Sequence, residues 1–316
     1  MVALITDQGT RRMTSLRDGV KLGLMKKRIP FIASILSFFC PGLGQIYNSQ
    51  IKFGFIVFAT AYFIISLSVI NNYFIFIFFI FGWIIIWIFS IIYAFIKAIK
   101  IKKAQLTKFN KWILYLFFIL VGYLYVSMIV LPNIKFQNFS IPATSMNPTL
   151  IVGDYIVVNK NYYKNNDPEY GDLVVFKTPT DNRTDYIKRL IGLPDDTIQF
   201  INGDVYLNDN QILKTKIKSY KKIYCGNAIL ETKTFEEKLP NSKKYIAVYS
   251  KNNSFQNSDK FKVPKDHYFF LGDNRDCSKD SRFLSAVGYV PRKNILHKLY
   301  MIYWSGDKSR IGLFPK

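Results

Sequence analysis

The sequence predicts N-terminal transmembrane helices followed by a mostly antiparallel β domain. Three observations lead there: long Ile/Phe-rich runs confined to residues 30 to 131, basic clusters that bracket those runs, and short β-branched and aromatic runs separated by turn residues from 135 onward. Half of the 316 residues are hydrophobic and 17% are aromatic, more apolar surface than one soluble core of this size absorbs.

An apolar helix needs about 20 residues to cross a bilayer. Residues 53–70, 73–96 and 112–131 approach or meet that length with no charge inside, so three spans are expected. Residues 30–50 are apolar only as far as Cys40 and then break at Pro41-Gly42 and Gly44. That pattern predicts an interfacial or re-entrant piece, which leaves open whether it crosses. Repeated anchors of this kind do not match a cleavable signal peptide.

The net charge of +22 suits a nucleic-acid binder by size, but its distribution argues otherwise. Arg11, Arg12, Arg17, Lys21, Lys26, Lys27 and Arg28 precede the first apolar run, and Lys97, Lys100, Lys102, Lys103, Lys108 and Lys111 precede the last. Positive charge in those places is retained in the cytoplasm. Residues 1–29 then form a basic cytoplasmic segment, 30–134 the membrane region with a cytoplasmic loop at 97–111, and 135–316 an extracytoplasmic domain. Contacts with membrane lipid are expected, and none with nucleic acid.

The outer part carries runs beginning at Asp154, Asp172, Asp185, Thr197, Asp204, His267 and Leu299, separated by turns such as Pro194-Asp195 and Asn202-Gly203. These read as strands of several small antiparallel sheets. The Lys/Asn-rich stretch 212–262 has weak periodicity and reads as a variable insertion carrying little chemistry. Three cysteines and two histidines, none clustered, fit no metal site, and no cofactor is expected. Cys40 lies in the membrane region, so only Cys225 and Cys277 are placed to pair in an oxidising compartment.

Three blocks carry chemistry. Ser145 stands in Ile141-Pro142-Ala143-Thr144-Ser145-Met146-Asn147-Pro148-Thr149-Leu150, just beyond the last apolar run. By itself a serine there reads as a turn or cap residue. Tyr186-Ile187-Lys188-Arg189-Leu190-Ile191-Gly192 is an apolar strand in which period 2 sends Lys188 to one face and Arg189 to the other. One cation can then be buried while its neighbour finds a carboxylate. A serine hydroxyl needs a base within hydrogen-bond reach. His267 and His297 have no recognisable partner motif, whereas a buried lysine serves if its pKa falls well below the reference of about 10.4. The third block runs from Gly272 to Arg282 and holds Asp273, Ser278 and Asp280; it lacks the terminal Glu of a calcium loop.

Together, in this order and behind membrane anchors, the blocks resemble the bacterial type I signal peptidases. The resemblance implies a signal-peptidase-type complex β fold and a membrane-bound serine endopeptidase that cuts signal peptides from exported preproteins after an Ala-x-Ala-like site. It implies a bacterial cytoplasmic-membrane location, multi-pass, with the catalytic domain on the periplasmic or extracytoplasmic side. Ser145 would attack the scissile carbonyl and Lys188 would take its proton. Ser278 would orient the lysine amine, and the pairs Asp280–Arg282 and Asp273–Arg189 would brace the site. The cleft would be lined by Phe139, Ile141, Pro142, Ala143, Met146, Leu150, Ile156, Val175, Tyr186 and Ile187. Many members carry Ser or Gly where this chain has Ala143, which offers no side-chain donor to an oxyanion, and Cys277 stands where Asn is common. A non-catalytic membrane scaffold with a β binding domain is the alternative, and a self-cleaving repressor is excluded by the spans.

Overall fold

The computed structural model describes residues 25–69, 72–101, 104–217, 223–225, 228–250 and 255–315. Arg11, Arg12, Arg17, Lys21, Lys102 and Lys103, on which part of the charge argument rests, lie outside them. The chain forms two compact units, divided between Ile134 and Lys135.

The first unit is helical. Its helices are α1 (Pro30–Phe39), α2 (Leu43–Tyr47), α3 (Ile51–Leu67), α4 (Tyr73–Lys100) and α5 (Trp112–Asn133). Among the described residues, α4 and α5 are long and apolar enough to cross a membrane, whereas α3, at 17 residues, and α1 are shorter. Asn72 starts α4 by accepting hydrogen bonds from the N–H groups of Phe74 and Ile75, and Lys97 and Lys100 face the negative end of its dipole. The break after α1 falls at Cys40–Gly42. Gly42 has φ of 94°, and a Cβ there would lie 2.2 Å from the Gly54 carbonyl oxygen. Gly44 is not a break, contrary to the sequence reading: it sits inside α2, and a Cβ would meet the Ala33 carbonyl oxygen at 2.1 Å. Close helix packing, not chain reversal, requires glycine there.

Small residues Ser90, Ala94 and Ala98 form the buried stripe of α4, as tight helix packing in lipid favours. Polar side chains of the 40–50 segment are satisfied against it. The Gln45 amide donates to the Ser90 carbonyl at 3.0 Å, the Asn48 amide donates to the Ala94 carbonyl at 2.8 Å, and Ser90 Oγ accepts the Gly42 N–H at 3.0 Å. The segment is therefore an integral part of the helical unit.

The second unit is built on antiparallel strands. Seven labelled strands answer the seven runs read from the sequence: β2 (Tyr155–Asn159), β3 (Leu173–Lys177), β4 (Asp185–Gly192), β5 (Thr197–Ile201), β6 (Asp204–Leu207), β10 (His267–Leu271) and β11 (Ile295–Trp304). With β1 (Phe136–Ser140) and the two-residue strand Val290–Pro291, a seven-stranded sheet runs in the order Val290–Pro291, β10, β4, β3, β11, β2, β1, all neighbours antiparallel. A smaller sheet contains β5 and β6. Within the 212–262 stretch, β7 (Leu213–Ile217), β8 (Thr232–Lys238) and β9 (Lys244–Ser250) form a third sheet. The core lies on both faces of the large sheet. One side gathers Met146, Leu150, Ile156, Val175 and Ile302, the other Val174, Phe176, Leu190, Phe270 and Val290.

Candidate active site

Ser145 sits in the loop between β1 and β2, which local contacts hold rigid. Ile141 N–H donates to the Asp154 carbonyl at 2.8 Å, and Gly153 N–H donates back to Ile141 at 3.0 Å, closing the loop at its base. The Asp154 carboxylate accepts from the Ile151 N–H and from Arg310, while Met146 and Leu150 plug the loop into the core. The Asn147–Pro148 peptide is cis. The half-buried Ser145 is thus presented beside an anchored residue, Met146.

Lys188 lies on β4, opposite Val174 of β3, and is 4% exposed. Its Nζ is 2.5 Å from Ser145 Oγ and 5.4 Å from the centre of the Tyr186 ring. Burial pushes the amine down to about 8, the positive Arg282 helps, and the charges of Asp280 and Asp273 oppose the shift. Arg189 points to the other face, as strand alternation requires. It makes a two-pronged pair with Asp273 at 2.8 and 2.7 Å, donates to the Gly171 carbonyl at 2.9 Å, and stacks on Tyr245 at 4.3 Å.

The loop 272–282 closes the site. Asp280 accepts from Arg282 Nε at 2.8 Å, from Arg282 Nη2 at 2.9 Å, and from the Gly272 N–H at 3.0 Å. Burial alone would raise the Asp280 carboxyl, but Arg282 and these hydrogen bonds outweigh it and hold it low. Asn274 stitches this loop to the serine loop, its N–H donating to the Ser145 carbonyl at 3.1 Å and its amide to the Thr144 carbonyl at 3.0 Å. Gly272 is required by space: a Cβ there would meet Ser278 Oγ at 2.2 Å and the Ser145 carbonyl oxygen at 2.5 Å.

Ser278 departs from its expected place as the group that orients Lys188. Its hydroxyl is buried and makes no hydrogen bond of ordinary geometry, to Lys188 or to any other group. It lies near enough to Asp280 to favour the charged carboxylate, and it packs against Gly272. Neither histidine hydrogen-bonds Ser145. His267 Nδ1 is 2.8 Å from the Lys265 carbonyl, and His297 packs on Phe139 with its pKa lowered by burial.

A cleft of about 380 Å³ opens onto the Ser145–Lys188 pair. Phe139, Ile141, Pro142, Ala143, Met146, Ile156, Val175, Tyr186 and Ile187 line it, joined by Ser140, Thr184, Asp185, Cys277 and Lys279. Leu150 does not: it is fully buried in a cluster with Ile156, Val158 and Ile302. Cys277 is joined by a disulfide to Cys225 in the hairpin Ile223–Cys225/Ala228–Leu230. The sequence reading also missed Asn274, Glu237, Tyr245 and Tyr249. The last two had a visible signal in β9, where Tyr245, Ala247 and Tyr249 alternate onto one buried face.

The β unit carries this apolar cleft, and among the described residues two helices of the other unit are long and apolar enough to cross a membrane. A family model described as signal peptidase, peptidase S26, matches residues 109–304, and the chain belongs to that family. Signal peptidase I of Rickettsia prowazekii (strain Madrid E) is 35% identical over 214 residues, covering 57% of this chain and 79% of that protein. Signal peptidase I of Rickettsia akari (strain Hartford) is 36% identical over 196 residues, covering 54% and 71%. A crystal structure of a signal peptidase I from Enterococcus faecalis V583 aligns at 25% identity over 42% of this chain and 97% of that chain, with a TM-score of 0.26.

Proposed function

We propose that this protein removes signal peptides from exported preproteins, with Ser145 as nucleophile and neutral Lys188 as general base. The observation that carries the reading is the 2.5 Å contact between Lys188 Nζ and Ser145 Oγ, made by an amine whose pKa burial lowers to about 8. As the Ser145 Oγ–carbon bond forms, the hydroxyl proton passes to Lys188 and the carbonyl oxygen takes the negative charge. The Ser145 N–H is the donor proposed for that oxyanion, since the Ala143 side chain has none to give. Lys188 then returns its proton to the departing amine nitrogen as the C–N bond breaks. Water cleaves the resulting ester by the same exchange.

The proposed preference for Ala-x-Ala is in keeping with the apolar cleft, whose lining includes Phe139, Ile141 and Ile156. The pairs Asp280–Arg282 and Asp273–Arg189 support Ser145 and Lys188 by fixing the loop and its charges. We place the protein in the bacterial cytoplasmic membrane as a multi-pass protein, α3 and α4 forming an out-and-back hairpin and α5 carrying the chain outward, so that the β unit meets preproteins after export. The test is incubation of the purified full chain with a preprotein bearing an Ala-x-Ala site. Release of the mature protein, with its new N-terminus directly after the second alanine, supports the reading; an intact preprotein contradicts it.

The charges around Lys188 give a signed pH prediction. Only the neutral amine accepts the serine proton, so kcat/KM rises with pH through about 8. Asp280 holds the lysine pKa up, and Arg282 holds it down. Asp280→Asn removes the anion and leaves Arg282 uncompensated, so both changes lower the lysine pKa. The acid limb of kcat/KM is expected at lower pH in this variant, even though its plateau falls. A limb displaced upward would exclude Lys188 as the group that titrates.

A further inference from the structure

The insertion expected to carry little chemistry touches the catalytic loop at several places. The Val248 N–H of β9 donates to the Asp273 carbonyl at 2.8 Å, and the Ser250 N–H donates to the Asp276 carboxylate at 2.7 Å. Cys225 is bonded to Cys277. Another contact is ionic: Glu237 of β8 and Arg275 of the loop, each 1% exposed, form a two-pronged pair at 2.6 and 3.1 Å. The hydroxyls of Tyr245 and Tyr249 donate to Glu237 and accept from Arg275, at 2.7 and 2.5 Å from Nη2 and Nη1 respectively. Arg275 Nε completes the set by donating to the Gly272 carbonyl at 3.2 Å. Burial raises the Glu237 carboxyl, but Arg275 and the two tyrosines more than offset it and keep it ionised.

A buried ion pair with every donor matched contributes more to uniqueness of arrangement than to net stability. Here the arrangement it specifies is that of the catalytic loop. The Arg275 carbonyl accepts a hydrogen bond from Arg282, the partner of Asp280, and both charges act on Lys188. The groups facing Lys188 are Ser145, the Tyr186 ring, Asp273, Asp280 and Arg282.

We propose that Glu237, with the hydroxyls of Tyr245 and Tyr249, is a positioning group for loop 272–282, acting on Asp280 and Arg282 through Arg275. It rests on the reading of Ser145 and Lys188 as the catalytic pair. Removing the Glu237 charge frees Arg275, loosens the carbonyl that holds Arg282, and lets Arg282 drift from Asp280. Asp280 then acts on Lys188 with less compensation, which raises the lysine pKa.

The experiment measures kcat, KM and the pH profile of the full chain with an Ala-x-Ala preprotein, normalised to active sites counted with an acylating inhibitor. Glu237→Gln is expected to lower kcat per active site about tenfold to a hundredfold, as a misplacement of order 1 Å does. KM should stay within about twofold, because the apolar cleft residues Phe139, Ile141, Ile156 and Tyr186 lie outside the loop. The acid limb should move above its wild-type position. Tyr249→Phe, a milder change that decides the matter if Glu237→Gln does not fold, should move kcat and the limb the same way by a smaller amount. Wild-type kcat per active site with an unmoved limb, or a loss explained wholly by fewer active sites, overturns the proposal. Cleavage by Ser145→Ala in the same assay would instead overturn the catalytic reading on which it rests.

Discussion

Ser145→Ala and Lys188→Ala are each expected to lower preprotein cleavage by about 10⁴-fold or more, and the double variant to be no worse than either. The two side chains act as one unit: the hydroxyl without a base is a poor nucleophile, and the base without a hydroxyl has no proton to take. Lys188→Arg should be equally inactive. A guanidinium stays protonated at any working pH, so it cannot accept the serine proton. Single-turnover cleavage checks this, because it separates chemistry from product release. Additive losses in the double variant would mean that the residues contribute independently.

The second large effect is on stability. Asp273 and Arg189 are both 1% exposed and meet through two hydrogen bonds, with Thr149 Oγ1 donating a third to Asp273 at 2.5 Å. Asp273→Ala leaves the arginine buried without its counter-charge, a situation that typically costs about 3–5 kcal/mol. Differential scanning calorimetry should register a drop in Tm of roughly 10 °C for a unit of this size. Asp273→Leu combined with Arg189→Met replaces both charges by apolar groups of similar volume, and most of the loss should be recovered. A single variant as stable as the parent would mean that water or another group already serves Arg189.

The strands of the β unit were legible because β-branched runs between turn residues have few alternatives. Tyr155–Asn159, Leu173–Lys177 and Asp185–Gly192 all fall within the runs that announced them. The opposite facing of Lys188 and Arg189 was legible for the same reason, since alternation is a property of the strand itself. Contacts between distant segments were not. Leu150 is apolar, as a cleft residue and a core residue both are, and only the path of the chain after Pro148 decides between them. Glu237 lies 38 residues before Arg275, a separation at which no local pattern reports a partner. Ser278 was assigned its role by resemblance, and its buried hydroxyl makes no hydrogen bond to Lys188. In the helical unit, α4 and α5 exceed the length a span needs, whereas Ile51–Leu67 falls short of the run read at 53–70.

The most direct test of the central claim is to trap the covalent intermediate. The purified protein is exposed to an acylating inhibitor at pH values on both sides of 8, and the modified peptide is identified by mass spectrometry. The account predicts a single adduct on Ser145, formed faster as pH rises through the lysine transition and absent from Ser145→Ala and Lys188→Ala. Preprotein cleavage with no adduct at Ser145, or an adduct that forms equally fast without Lys188, would contradict it.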